Sequence, residues 1–250
     1  MTFPTVGVQS WSLRHFSSID SLLPQVRALG LDRLELCGVQ CNFDDPAAHA
    51  PVIGAAQAAG VAIGSIGVQT FQGREAVERE WFAFARAAGT EVITCHFKVD
   101  SFTQAVPLAV RLAEEYDVRL AIHCHGGYLF GGSVDVLDHL LALGGPRLGV
   151  CIDTAWCLQA GGDPLAWVRR WPGRIHGVHF KDFVFTPQGK WQEKPVGLGT
   201  LDVDGFVQAL VDTGFSGTAV VEYEADLEAP QGAIRASLAR VAAAVAKAGG

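Results

Sequence analysis

The sequence predicts an α/β chain that closes into a single (β/α)8 barrel. Short apolar runs rich in β-branched residues alternate with longer segments of helical period along all 250 residues, which is typical of repeated βαβ units and a parallel sheet. Eight such units, about thirty residues apart, match this barrel better than a doubly wound sheet of roughly five to seven strands. With 49% hydrophobic residues, one core can form. We therefore expect one domain over residues 1–250.

The predicted strands begin at eight apolar runs: Val6–Gln9, Asp32–Leu36, Ala62–Gly67, Glu91–Cys95, Val118–Ile122, Leu148–Ile152, Ile175–His179 and Thr218–Glu222. The first helix should stop at Gly30, where a positive φ closes it. A capping-box spacing at Ser101 predicts a helix that runs to Asp117, and the last helix should span Gly232–Ala246. Residues 182–200 are predicted to form a long irregular loop, a feature that is usually functional.

Composition excludes several classes of function. The net charge of −7 gives no positive field for nucleic acid or anionic lipid, so neither is an expected partner. No secretory leader pattern or apolar run of about 18 residues is present, and we expect a cytoplasmic protein. No nucleophile elbow, P-loop or dinucleotide fingerprint is present. Six scattered cysteines are expected to be small buried hydrophobic residues: Cys37, Cys41, Cys95, Cys124, Cys151 and Cys157.

Polar side chains follow the predicted strands, and in this fold the reacting groups lie at the carboxyl ends of the strands. From the first strand to the eighth they are Gln9 with Trp11, Glu35, Gln69, His96, His123 with His125, Asp153, His179 with Lys181, and Glu222 with Glu224. Alternation along a strand places Asp153, His179 and Glu222 on the inward face. Chemistry is therefore expected at the mouth of the barrel.

Four consecutive strands each offer one inward metal donor: His123, Asp153, His179 and Glu222. Two imidazoles and two carboxylates suit Mn²⁺, Co²⁺, Zn²⁺ or Fe²⁺ better than Mg²⁺ or Ca²⁺. We predict one divalent metal ion bound by these residues.

The neighbours of this set are candidates for binding the substrate. Lys181 shares the inward face of His179, where its ammonium could stabilise an oxyanion or hold a hydroxyl or phosphate; the alternative is an ion pair with Asp153 or Glu224. Glu35 and His96 either bind substrate or are satisfied polar groups of the barrel wall. Trp11 and Trp156 either form an apolar wall for a sugar ring or belong to the core.

Four segments resemble the xylose-isomerase-like TIM barrels of the sugar phosphate isomerase/epimerase group: RIHGVHFKDF, LGVCIDTAW, AVVEYE and VGLGTLDVDGF. The resemblance spans nearly the whole chain, and the superfamily includes inosose dehydratases, hydroxypyruvate isomerases, ketose 3-epimerases and endonuclease IV. It implies one metal held by Glu, Asp, His and Glu on the fifth to eighth strands. Asp153, His179 and Glu222 match, whereas His123 replaces the first Glu and Trp156 a frequent His.

The resemblance implies a metal-dependent isomerase or epimerase of a small sugar, keto-sugar or sugar phosphate, acting through an enediolate. In such relatives the two glutamates move the protons, so the substitution at position 123 leaves Glu222, His125 and Lys181 as the candidate catalytic groups. His123 itself could bind the metal or move a proton, but not easily both. A lyase or dehydratase, including one that cleaves C-glycosides, is the alternative, because elimination needs one base and one acid. An endonuclease IV-like nuclease conflicts with the net charge. A non-catalytic metal- or sugar-binding subunit and a homo-oligomer remain open.

Overall fold

The structure, a computed structural model, describes residues 3–126 and 130–249 and confirms the (β/α)8 barrel. Eight parallel strands close in the order β1-β10-β7-β6-β5-β4-β3-β2. They are β1 (Val6–Gln9), β2 (Arg33–Leu36), β3 (Ala62–Phe71), β4 (Val92–Phe97), β5 (Arg119–His123), β6 (Leu148–Asp153), β7 (Ile175–Phe180) and β10 (Thr218–Val221). Each predicted strand therefore exists, and its start lies within one residue of the predicted one.

The helices in the described part of the chain cover the outside of the barrel. They are α1 (Ile19–Ala28), α2 (Pro46–Ala58), α3 (Glu75–Ala88), α4 (Phe102–Glu115), α5 (Val134–Gly144), α6 (Thr154–Gln159), α7 (Pro164–Arg170), α8 (Val203–Asp212) and α9 (Gln231–Lys247). Gly30 has φ +80° as predicted. The capping box at Ser101 does not form, because its ψ of 3° is not the extended conformation of such a cap.

The segment 182–200 is not wholly irregular, which corrects the prediction. It contains an antiparallel hairpin of β8 (Asp182–Phe185) and β9 (Trp191–Lys194) that is separate from the barrel sheet. Its aromatic rings pack on Trp156, with centroid distances of 5.2 Å to Phe183 and 5.5 Å to Trp191. The hairpin therefore lies beside the carboxyl ends of β6 and β7.

The hydrophobic core fills the barrel and the layer between strands and helices. As predicted, all six cysteines are buried, and none forms a disulfide. Across residues 3–126 and 130–249, every helix is too short or too polar to span a bilayer.

Candidate metal centre

Strand register brings the four predicted metal donors together. His123 and Asp153 are the last residues of β5 and β6, and Asp153 lies directly opposite His179 of β7. Glu222 comes directly after β10, whose Val220 pairs with His179. One donor atom from each of the four residues lies within 4.8 Å of the others, and all four residues are buried.

Two of these donors lack partners within the described protein. Both ring nitrogens of His123 and Oδ2 of Asp153 are buried without a hydrogen bond, and His123 Nε2 lies 3.6 Å from Asp153 Oδ2. The other carboxylate oxygen, Oδ1, accepts the backbone N–H of Trp156 at 2.9 Å and caps α6. Leaving a buried polar atom unpaired costs about 1–3 kcal/mol, and the two acceptors here, the lone pair of the His123 imidazole and Oδ2 of Asp153, are suited to share a cation.

Burial sets the protonation of this pair. It lowers the pKa of His123 well below its ordinary value, with a further contribution from His179, so the imidazole is neutral and offers a lone pair. Burial also raises the pKa of Asp153 to about 7, against the opposing charge of Lys181. A divalent ion would favour the ionised carboxylate, and the mixed N/O donor set fits Zn²⁺, Mn²⁺, Co²⁺ or Fe²⁺.

His179 is held by carboxylates on both sides of its ring. Its Nε2–H donates to Glu35 Oε1 at 3.0 Å, and its Nδ1 lies 3.2 Å from Glu222 Oε2. This arrangement directs Nδ1 toward the other donors, as the carboxylate partners of metal-binding histidines commonly do.

The structure places Glu35 beneath the donors rather than in a substrate-binding position. It is fully buried and does not line the cavity described below. Its two oxygens accept hydrogen bonds from His179 and from three further donors, namely Gln9 Nε2 at 2.5 Å, Ser65 Oγ at 2.6 Å and Thr94 Oγ1 at 2.7 Å. Of the two alternatives from the sequence, this geometry favours the satisfied polar group of the wall.

Lys181 also turns inward but is paired with acidic side chains. Its ammonium hydrogen-bonds Glu224 and lies 3.3 Å from Glu193 Oε1 and 3.7 Å from Glu222 Oε2. Burial opposes its charge, but these carboxylates raise the pKa of Lys181 above its usual value. Of the two alternatives from the sequence, this geometry favours the ion pair, with Glu224 as its partner.

A cavity of about 480 Å³ opens above the metal donors. Besides His123 and Glu222, four of the predicted site residues line it, namely Trp11, His96, His125 and Trp156. The other described lining residues are Gln9, Cys37, Gly38, Val39, Gly67, Val68, Thr70 and Glu224. Gln9 and Glu224 could have been selected from their places at strand ends, whereas nothing in the sequence marks Glu193 of the hairpin.

His125 lies at the wall of this cavity. Its ring stacks on Trp156 with centroids 3.9 Å apart, and its Nδ1–H donates to the carbonyl of Gly126 at 2.8 Å. That hydrogen bond makes Nε2 the acceptor nitrogen of the ring. His96 packs edge-on against His123, with centroids 5.3 Å apart.

The family model for xylose isomerase-like TIM barrels matches residues 25–244. The chain therefore belongs to the xylose isomerase-like TIM barrel family.

Relatives and solved structures of this family extend the comparison. The rhizopine catabolism protein MocC of Rhizobium meliloti is 31% identical over 141 residues, which is 48% of this chain and 40% of that protein. Inosose dehydratase of Lacticaseibacillus casei is 27% identical over 150 residues, 52% of this chain and 50% of that protein. The matched segments thus span half or less of these relatives.

A crystal structure of IolI with a bound zinc atom superimposes with a TM-score of 0.76 at 15% identity, covering 98% of this chain and 99% of that one. At that identity the likeness establishes the fold alone.

Proposed function

We propose that this protein is a metal-dependent enzyme that isomerises a small polyhydroxylated ketone through an enediolate, with His125 as its base. The observation that carries the proposal is the buried cluster of His123, Asp153, His179 and Glu222 at the floor of a cavity. Three of its atoms lack any partner within the described protein. IolI, a solved structure with the same fold, has a bound zinc atom, which supports a metal ion in a barrel of this kind.

The donor set would hold the ion through His123, Asp153, His179 and Glu222. A divalent ion bound there would supply Lewis-acid polarisation of a substrate carbonyl and hydroxyl. His125 would take the proton from the carbon next to the carbonyl through Nε2 and return it to the former carbonyl carbon, while the hydroxyl proton passes to the former carbonyl oxygen. Trp11 and Trp156 would exclude water and pack on the C–H face of the sugar.

His123 decides between one-sided and two-sided proton transfer. An imidazole whose lone pair is engaged by a metal has no free site for a substrate proton, and Oε2 of Glu222 already lies 3.2 Å from His179 Nδ1 and 3.7 Å from the Lys181 ammonium. We therefore propose a single base, His125, which favours isomerisation on one face of the enediolate over epimerisation with two bases.

Dehydration is the second candidate function. The proton that His125 takes would pass to the β-hydroxyl group, which leaves as water, so that one residue serves as base and then as acid. Inosose dehydratase is among the relatives of this chain, which supports elimination, and loss of a C-linked glycosyl group would follow the same course.

Exchange of solvent deuterium tests the proposal. Metal-reconstituted protein in D2O should wash label into a ketose or inosose, and NMR should show either an aldose or a dehydrated product. His125→Ala should abolish the exchange and keep the metal, while His123→Glu should keep the metal and raise C3-epimerase activity. Rapid epimerisation by the unaltered protein with label mainly in the product would contradict the one-base proposal. Absence of deuterium exchange with every ketose and inosose tested would overturn the proposed enzymatic function.

A further inference from the structure

We infer that the site takes an uncharged sugar or keto-sugar and rejects phosphorylated and carboxylated ones. The inference rests on the proposed function, because it names the substrate class of the same cavity. It comes from the positions of the charged side chains and of the backbone amides at the mouth of the barrel.

The cavity offers an anion no cationic side chain. Among its described lining residues, the ones that carry a formal charge at neutral pH are Glu222 and Glu224. Residues 127–129, outside the described part of the chain, are Gly, Tyr and Leu and carry no positive charge. A phosphate or carboxylate group would therefore meet two carboxylates without a cationic partner.

Two cations that contact lining residues of the cavity are already engaged. Lys181 is buried between Glu193, Glu222 and Glu224. Arg14 lies over the Trp11 ring at 5.1 Å, and its two terminal nitrogens donate to the carbonyls of Trp11 and Glu224, each at 3.0 Å. An anionic substrate would have to break one of these arrangements to gain either cation.

The loop after β7 is a frequent phosphate site in this fold, but here a carboxylate of the chain occupies its amides. Asp182 Oδ2 accepts the N–H groups of Gly197 at 2.9 Å and Gly199 at 3.0 Å. Its Oδ1 accepts those of Thr200 at 2.8 Å and Leu201 at 3.0 Å. Four amides that could cradle a phosphate are thus saturated by one buried side chain.

The loop after β10 and the start of α8 follow the same pattern. Glu193 Oε2 accepts the N–H groups of Glu224 at 2.9 Å and Ala225 at 2.7 Å. At the start of α8, the Asp202 side chain accepts the N–H of Gly205 at 3.0 Å. Anion-binding positions on both loops are therefore filled from within the chain.

A bound metal ion would not reverse this balance. The metal donors and the acidic side chains around them together include one ammonium, that of Lys181, and five carboxylates: Glu35, Asp153, Glu193, Glu222 and Glu224. Adding a divalent cation leaves a formal excess of two negative charges. Because juxtaposed like charges in a desolvated site cost several kcal/mol, an anionic ketose should bind at least about 10²-fold more weakly than its neutral counterpart.

Matched ligand pairs test the inference. Mn²⁺-loaded protein is titrated with D-fructose and D-fructose 6-phosphate, D-xylulose and D-xylulose 5-phosphate, and D-fructose and D-fructuronate. Binding is followed by tryptophan fluorescence, since Trp11 and Trp156 line the cavity, and kcat/KM is measured for each ligand. Inorganic phosphate is the control for simple chelation of the metal.

Binding and turnover separate this inference from the proposed function. Neutral ketoses that bind at least about 10²-fold better than their anionic partners support the inference, even where none is turned over and the proposed function fails. Equal or tighter binding of the anionic member overturns the inference, and its turnover leaves the proposed function intact. Failure of both members of every pair to bind overturns the inference as well.

One pair of variants tests whether the charge of the cavity causes the preference for neutral over anionic ketoses. Glu224→Gln removes a lining carboxylate and one partner of Lys181, so the preference for the neutral ketose should narrow by about tenfold or more. Glu228→Gln makes the same change of net charge at an exposed position of the same loop and should leave the preference unchanged. An unchanged preference in Glu224→Gln, or equal narrowing in both variants, would contradict the inference.

Discussion

Two neighbouring groups of buried polar side chains at the barrel mouth differ in how completely the chain satisfies them. His123 and Asp153, at the ends of β5 and β6, leave three buried atoms without a partner in the described structure. Lys181, one strand further along, has ion-pair contacts with three carboxylates. Both groups come from inward polar residues at strand ends, so position alone does not distinguish them.

We interpret this difference as one between residues that an external ligand would satisfy, His123 and Asp153, and a residue whose partners lie within the chain, Lys181. Unpaired buried atoms are costly, and native proteins retain few of them, so the His123–Asp153 pair indicates an external partner. The Lys181 ammonium has its counterions within the chain, although Oε1 of Glu193, 3.3 Å from that ammonium, accepts no hydrogen bond there, and we propose that these buried charges hold Glu222 and the hairpin in place. Substitutions in the two groups should therefore have opposite signatures in stability and in metal binding.

The largest expected effect is the loss of metal on His123→Leu. The affinity for Zn²⁺ or Mn²⁺ should fall by more than the roughly 10–100-fold that loss of an outer carboxylate costs. The metal-free variant should be as stable as the parent or up to about 1 kcal/mol more stable, since an unsatisfied polar group is removed. Metal analysis and urea unfolding of the metal-free protein check both expectations.

His176→Leu is the matched control for that variant. His176 is buried at the opposite end of the barrel, and its Nδ1–H donates to the carbonyl of Leu120 at 2.9 Å. This substitution should cost about 1–3 kcal/mol of stability and leave metal binding intact. Full metal affinity in His123→Leu would contradict the assignment of His123 as a ligand.

Lys181→Met should have the opposite signature. Removing the ammonium leaves three carboxylates without their buried counterion, which should lower the unfolding free energy by about 3–5 kcal/mol. Metal content should persist, while kcat/KM should fall by about 10²-fold because Glu222 loses its support. Chemical unfolding, metal analysis and steady-state kinetics measure the three quantities.

Lys247→Met provides the comparison on the surface. Its exposed ion pair with Asp204, at 2.8 Å, should contribute less than about 1 kcal/mol. If Lys181→Met were no more destabilising than Lys247→Met and retained full activity, the role of Lys181 in positioning would be wrong.

Glu35→Gln should have the smallest effect of the three substitutions at the site, after His123→Leu and Lys181→Met. The amide weakens the hydrogen bond that orients His179, so the affinity for the metal should fall by about 10–100-fold. Competition with a chelator measures this change. Glu91→Gln, at an exposed carboxylate paired with Arg119 at 3.2 Å, should leave the affinity unchanged, and equal affinities in the two variants would remove Glu35 from the support of the metal site.

Local patterns were sufficient to predict the barrel and its donors. Each barrel strand is an apolar run, and the period of two along a strand fixes which residues face inward, so His123, Asp153, His179 and Glu222 could be chosen without a structure. The hairpin of residues 182–194 could not be predicted from the sequence, because its strands DFVF and WQEK show no alternating buried face. Glu224 is anticipated as a partner of Lys181 from its place at a strand end, whereas no local pattern encodes Glu193 of the hairpin or the set of side chains around Glu35.

Anomalous diffraction from crystals of protein that has been stripped with a chelator and reconstituted with Mn²⁺ or Zn²⁺ tests the central claim most directly. The account predicts one ion at the barrel mouth, bound by at least three of His123, Asp153, His179 and Glu222, with donor atoms about 2.0–2.3 Å away. Absence of an ion from the reconstituted protein, or an ion bound only elsewhere, would contradict it.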